Sequence, residues 1–175
     1  MCVVFTGCSA GDSPDSTAQD QNITTIETVL HQQFTGPDQT LMDLLDDPAN
    51  STIIGNGETT TPDAPTQLDV YLEEKYRPYF SERMYEEFIG TYALEYHTSP
   101  SNNGYQLDVE TTKIEDVATT EGAYDFTVNV LYKKKGGEER HANVTGRMNI
   151  NKESTITKYR LMDDDGLSKS LTSSH

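Results

Sequence analysis

The chain has 175 residues, a hydrophobic fraction of 34% and a formal charge of −16, which allows one domain with a modest core. The charge is lopsided: residues 1–74 hold 13 acidic side chains and no Lys or Arg, and Lys75 is the first cation. A field this negative opposes binding to nucleic acid or to bare anionic lipid headgroups, because both depend on Lys and Arg neutralising phosphate. Ten tyrosines and five phenylalanines offset the low aliphatic content, since each buried aromatic removes a large apolar area from water.

The chain begins with an apolar run, Cys2 to Phe5, followed by Thr6, Gly7 and Cys8. Phe5-Thr6-Gly7-Cys8 resembles the lipobox of small bacterial exported lipoproteins, with Phe5 where leucine is usual. In that motif a small residue precedes the cleavage site and the cysteine receives a diacylglyceryl group. The resemblance implies lipidation at Cys8, residues 1–7 as residual signal peptide, and a place on the extracytoplasmic side of the cell membrane. Residues 8–21 are then expected to form a disordered tether, because Ser9–Gln21 contains no aromatic or large aliphatic residue with which to offset its ordering entropy. Cleavage would discard Cys2 and leave one lipidated cysteine, so neither a disulfide nor a cysteine-metal site is expected.

A single domain is expected over residues 22–163. Thr24-Thr25-Ile26-Glu27 has the capping-box pattern, and Ile26, Val29, Leu30 and Phe34 follow at helical spacing; they predict a first helix over about Thr25–Phe34, stopped by Gly36-Pro37. Asp38 is placed to cap a short second helix with Leu41, Leu44 and Leu45. Ser51–Gly55 predicts a short strand and Gly57–Pro65 a loop. Thr66-Gln67-Leu68-Asp69 opens a third helix with Leu72 and Tyr76, which Pro78 breaks by pushing Arg77 out of the helical region. Ser81 then caps a fourth helix carrying Met84, Tyr85, Phe88, Ile89 and Tyr92, and Ser99–Gly104 reads as a turn.

From Tyr105 the period changes from 3.6 to 2. Tyr105, Leu107 and Val109 alternate with polar residues, and the change of parity before Ile114 predicts a bulge near Thr111–Lys113. Tyr124, Phe126, Val128, Val130 and Tyr132 form the clearest strand. Gly136-Gly137 turns the chain, and Ala142, Val144, Gly146, Met148 and Ile150 form the next inward face. A last strand is expected near Thr155–Met162, with residues 164–175 as a loosely ordered tail. Lys133–Lys135 ends a strand with charge, which keeps an edge soluble.

Helices followed by an antiparallel meander make an α+β fold in which the sheet wraps over the helices. This order resembles the nuclear-transport-factor-2-like fold and the neighbouring cystatin-like fold. The resemblance implies a conical interior, and in the ketosteroid-isomerase-like members that interior holds an acid and a tyrosine. Tyr76, Tyr79, Tyr85 and Tyr92 are the candidates to line such a pocket, with Glu74 or Glu86 as the acid. No acid falls on the inward parity of the clearest strand, where a buried general base would be expected. His31, His97, His141 and His175 have no metal-ligand spacing and read as solvated. Asp163-Asp164-Asp165-Gly166 lacks the alternation of a calcium loop. The expected function is therefore a non-enzymatic binding or accessory module of the cell envelope, with an envelope protein or small ligand as partner and no catalytic residue, metal or cofactor. The alternative is a small-molecule pocket enzyme or ligand-binding protein of the isomerase or cyclase kind.

Overall fold

The computed structural model of the protein describes residues 14–50, 53–55, 58–60 and 64–173. Its element order is helical first and then sheet: α1 (Pro14–Phe34), α2 (Gln39–Asp46), β1 (Ile53–Gly55), β2 (Glu58–Thr60), α3 (Gln67–Tyr76), α4 (Glu82–Thr91), α5 (Glu95–Asn103), β3 (Tyr105–Asp116), β4 (Ala123–Lys134), β5 (Glu139–Ile150), β6 (Ile156–Asp163) and α6 (Leu167–Thr172). The protein is α+β, and β3-β4-β5-β6 form an open antiparallel meander in chain order, beside a separate two-stranded β1-β2 ribbon.

Alternation places the sheet. Tyr124, Phe126, Val128, Val130 and Tyr132 of β4 and Ala142, Val144, Gly146, Met148 and Ile150 of β5 are buried, as their period of 2 predicts. The predicted bulge in β3 lies at Glu110, where the register with β4 shifts between Val109 and Thr111. Against this face lie Ile26, Leu30, Leu72, Met84 and Phe88 from the helices. Phe88, fully buried, stacks on Phe80 at 4.5 Å and meets the edge of Tyr159 at 5.3 Å and the ring of Tyr76 at 5.2 Å. The interior is thus filled with aromatic side chains.

Seven of the ten tyrosines are buried, so their hydroxyls need partners. Tyr159 donates to Gln33 Oε1 at 2.8 Å, and Gln33, itself buried, donates to the carbonyl of Tyr92 at 3.4 Å. Tyr96 donates to Asp164 at 3.3 Å. Polar ties of this kind let a chain poor in aliphatic residues close a core.

Several expectations differ from what the fold contains. Helix α1 starts at Pro14 rather than near Thr25, so part of the expected tether is helical. Proline suits a first helical turn, and Ala18, Gln19 and Gln21 extend a helix whose nucleus is secured by Ile26 and Leu30. Thr24, placed as a cap, lies inside α1 and donates to the carbonyl of Asp20 at 2.9 Å. Glu58–Thr60 is a strand within the expected loop and pairs with β1. Arg77 keeps helical angles, φ −54 and ψ −36, and α3 runs on into a tight turn over Arg77–Tyr79. The expected turn at Ser99–Gly104 is the second half of α5, in which Tyr96, His97 and Pro100 are buried; their burial outweighs local turn chemistry. The helix ends where Gly104 adopts φ 70 and its N–H reaches the carbonyl of Pro100.

The C-terminal segment also departs from expectation. Leu167 and Leu171, four residues apart, are both fully buried in α6, which contacts α5. Asp164 prepares this helix by accepting from the N–H groups of Gly166 at 3.0 Å and Ser168 at 2.8 Å.

The capping box at the start of α3 forms as predicted. Thr66 Oγ1 accepts from the N–H of Asp69 at 3.1 Å, and Asp69 Oδ2 accepts from the N–H of Thr66 at 2.7 Å. Thr66→Ala is expected to cost about 1 kcal/mol in denaturant unfolding; no measurable loss would mean that packing alone positions α3.

Candidate functional site

The most densely connected polar cluster lies where α1 ends. Gly36 forms a two-way bridge with Leu107 of β3, its N–H reaching the Leu107 carbonyl at 3.0 Å and its carbonyl accepting at 2.7 Å. Only glycine fits there, because a Cβ would stand 2.6 Å from His97 Nδ1. Two residues on, Asp38 caps α2 by accepting from the N–H of Leu41 at 3.1 Å. The other oxygen of Asp38 accepts from the Tyr71 hydroxyl at 2.5 Å and forms an ion pair with Lys75. Lys75 extends from α3 with its ammonium 5.5 Å from the ring centre of Tyr71 and 5.7 Å from that of Tyr76, which adds cation–π attraction. The first cation in the chain thus serves an aspartate already committed as a helix cap.

His97, expected to be solvated, is fully buried beneath this cluster. Its Nδ1 accepts from the N–H of Asp38 at 3.2 Å, which puts the proton on Nε2, where it is donated to the Gln32 carbonyl at 3.0 Å. Burial, followed by the nearby Lys75 charge, pulls the imidazole down to about 4, against weaker opposition from Asp38 and the Gln32 bond. For Asp38, burial pushes the carboxyl up, but hydrogen bonds from Lys75, Tyr71 and Leu41 together hold it at about 2. Burial and then Asp38 push the Tyr71 phenol above its usual range. At neutral pH the set is therefore a carboxylate, an ammonium, a phenol and a neutral imidazole. Charge is balanced, and both imidazole nitrogens are engaged.

Beside the cluster runs an open groove of about 630 Å³, walled by α1 residues including Thr28, His31 and Gln32 and by Pro37, Asp38 and Lys75. Gln32 Oε1 is buried and, among the described residues, has no hydrogen-bond partner. An unmatched acceptor of this kind is destabilising by about 1–3 kcal/mol. A second groove of about 660 Å³ begins on the far side of Gly36-Pro37 and reaches Leu131 and Lys133. The arrangement suits recognition. A proton-transfer role for His97 is closed off by its two bonds.

Of the residues expected to line a conical pocket, Tyr76 and Tyr92 both pack against Phe88, at 5.2 and 6.1 Å. Tyr76 is fully buried, with its hydroxyl 3.4 Å from the Gln32 carbonyl. Tyr85 lies under the Arg77 guanidinium at 5.3 Å, and Tyr92 meets Tyr159 edge-on at 4.8 Å. Tyr79 is half-buried, and Glu74 and Glu86 are exposed. His31 is exposed on α1, and His141 is exposed and pairs with Glu110 at 3.1 Å. Cys8 and His175 lie outside the described residues. Among the described residues no three His, Cys, Asp or Glu side chains converge as metal ligands, and no helix is long and apolar enough to cross a membrane.

Comparison with family models, with curated proteins and with solved structures finds no match to this chain.

Proposed function

We propose that this protein is a cell-envelope lipoprotein, anchored through Cys8, whose folded part is a non-catalytic binding module. The observation that supports the binding reading is the close aromatic packing inside the fold, where fully buried Phe88 meets the rings of Tyr76, Phe80 and Tyr159 at 4.5–5.3 Å. Recognition then falls to the surface, where the groove along α1 is bordered by a prepositioned ion pair. Preorganisation of that kind lowers the entropic cost of binding. We read the fold as nuclear-transport-factor-2-like or cystatin-like; the helices packed on the open β3-β4-β5-β6 meander support that reading. The anchor rests on Phe5-Thr6-Gly7-Cys8.

Fractionation of bacteria expressing the chain with a complete signal peptide tests the anchor. The wild type should partition with membranes and Cys8→Ser with the soluble fraction; identical partitioning would overturn it. In the same cells a photoreactive residue at His31 should yield a discrete adduct, whereas one at Glu121, in the turn beyond the far end of β3, should not. Equal labelling from both positions, or none from His31, would remove the groove from the reading.

A further inference from the structure

The two edges of the four-stranded sheet are finished differently. At the β6 edge Ile156 is bridged to Phe80 and accepts from the N–H of Ser81 at 2.9 Å, two register shifts interrupt the ladder with β5, and α4 lies alongside. Bulges and covering elements of this kind keep an edge from pairing with another chain. The β3 edge is bridged at Leu107 by Gly36. Beyond the bulge at Glu110, Thr112–Asp116 pairs with β4 on one side, and among the described residues no strand pairs with it on the other.

Backbone alternation determines what this stretch offers. The N–H and C=O of Leu107 both point outward, to Gly36, so those of Gln106 and Asp108 face β4. The extra residue at the bulge inverts that parity, and past it the outward groups belong to Thr112, Ile114 and Asp116. Thr112 and Ile114 stand opposite Val128 and Phe126 on the inner face and are half-buried, so an apolar side chain remains open at the edge. Lys113 and Glu115 stand on the outer face, exposed and 2.9 Å apart.

We propose that Thr112–Asp116 is a self-association strand: the β3 edges of two copies pair antiparallel about a two-fold axis at Ile114 and join their sheets into one. The charges select a second copy as the occupant. With Ile114 opposite Ile114 of the second copy, Thr112, Ile114 and Asp116 exchange backbone hydrogen bonds with their counterparts. Lys113 of each copy then faces Glu115 of the other, at the non-hydrogen-bonded positions where side chains approach most closely. Sliding the register by two residues one way sets Lys113 against Lys113; the other way sets Glu115 against Glu115. Like charges directly opposite one another are destabilising, so one register is favoured. Within a single copy the exposed Lys113–Glu115 pair contributes little, and exchanging it across the axis sacrifices little. Two-fold symmetry repeats each contact. This association is independent of the α1 groove and of the anchor.

The test uses the full chain carrying Cys8→Ser under reducing conditions, so that neither an acyl chain nor a disulfide contributes. Sedimentation equilibrium is measured at physiological salt, where the repulsion between copies of charge −16 is screened beyond about 8 Å. A reversible monomer–dimer equilibrium is expected. Lys113→Glu and Glu115→Lys should each weaken it at least about tenfold, although they change the net charge in opposite directions. Lys113→Glu/Glu115→Lys should restore it, because the exchanged charges again meet their opposites across the axis. Absence of a dimer at about 1 mM, a dimer indifferent to both single changes, stronger association in Glu115→Lys, or no recovery in the double variant overturns the proposal. Both side chains are exposed, and far-ultraviolet circular dichroism verifies that the variants remain folded.

Discussion

Phe88→Ala should lower the unfolding free energy by about 3–5 kcal/mol, a large share of the ~5–15 kcal/mol that holds a typical domain together. Phe88 is fully buried among Tyr76, Phe80 and Tyr159. Removing its ring sacrifices transfer free energy and leaves a void that interlocked aromatic neighbours cannot refill. The measurement is a pair of denaturant melts, compared at unchanged slope so that the loss reflects stability alone. A loss below about 1 kcal/mol would mean that the surroundings of Phe88 are already loose. It would return the hollow interior, and with it the pocket enzyme, as the better account.

Acid should weaken the fold in two stages. His97 has a folded value of about 4 against an ordinary 6.5, so the unfolded chain binds its proton first. Its stabilising contribution is complete above pH 6.5 and disappears as the pH falls through 4. The shift corresponds to about 3 kcal/mol. Asp38, lowered from 3.8 to about 2, adds a further loss of roughly 2 kcal/mol below the first window. Chemical denaturation across the range should therefore show stability declining from pH 6.5 to 4, and His97→Gln should flatten that interval relative to the wild type. An equally steep decline in His97→Gln would assign the effect to other groups. It would also remove the neutral, doubly engaged imidazole from the description of the cluster.

The parts that a period could describe were legible in the sequence. Alternation from Tyr124 to Tyr132 and from Ala142 to Ile150 assigned both faces of the central strands, and the broken parity after Val109 announced the bulge. The Thr66 and Asp38 caps were readable because capping is a local exchange between side chain and backbone. Two of the misread stretches share a cause: distant contacts decided them. Ser99–Asn103 has turn composition, yet Tyr96, His97 and Pro100 are held against the rest of the fold. Leu167 and Leu171 did carry a signal, a four-residue spacing after an acidic run, but two leucines alone do not distinguish a docked helix from a tail. The cluster at Asp38 was hidden because its members lie far apart in the chain. One clue was available: an isolated lysine after 74 residues without a cation invites a search for the carboxylate it serves. His97 offered no comparable clue, since its burial follows from the glycine at position 36 that admits it.

The tyrosine-rich core makes the molecule its own optical gauge. With no tryptophan in the chain, its near-ultraviolet absorption and fluorescence come chiefly from tyrosine, and most of those rings are interior. Burial drives the phenols of Tyr76, Tyr96 and Tyr159 well above their ordinary range. Phenolate absorption from these three rings is therefore held back as alkali is added until the protein opens. Their ionisation times the opening of the core without an introduced dye or label.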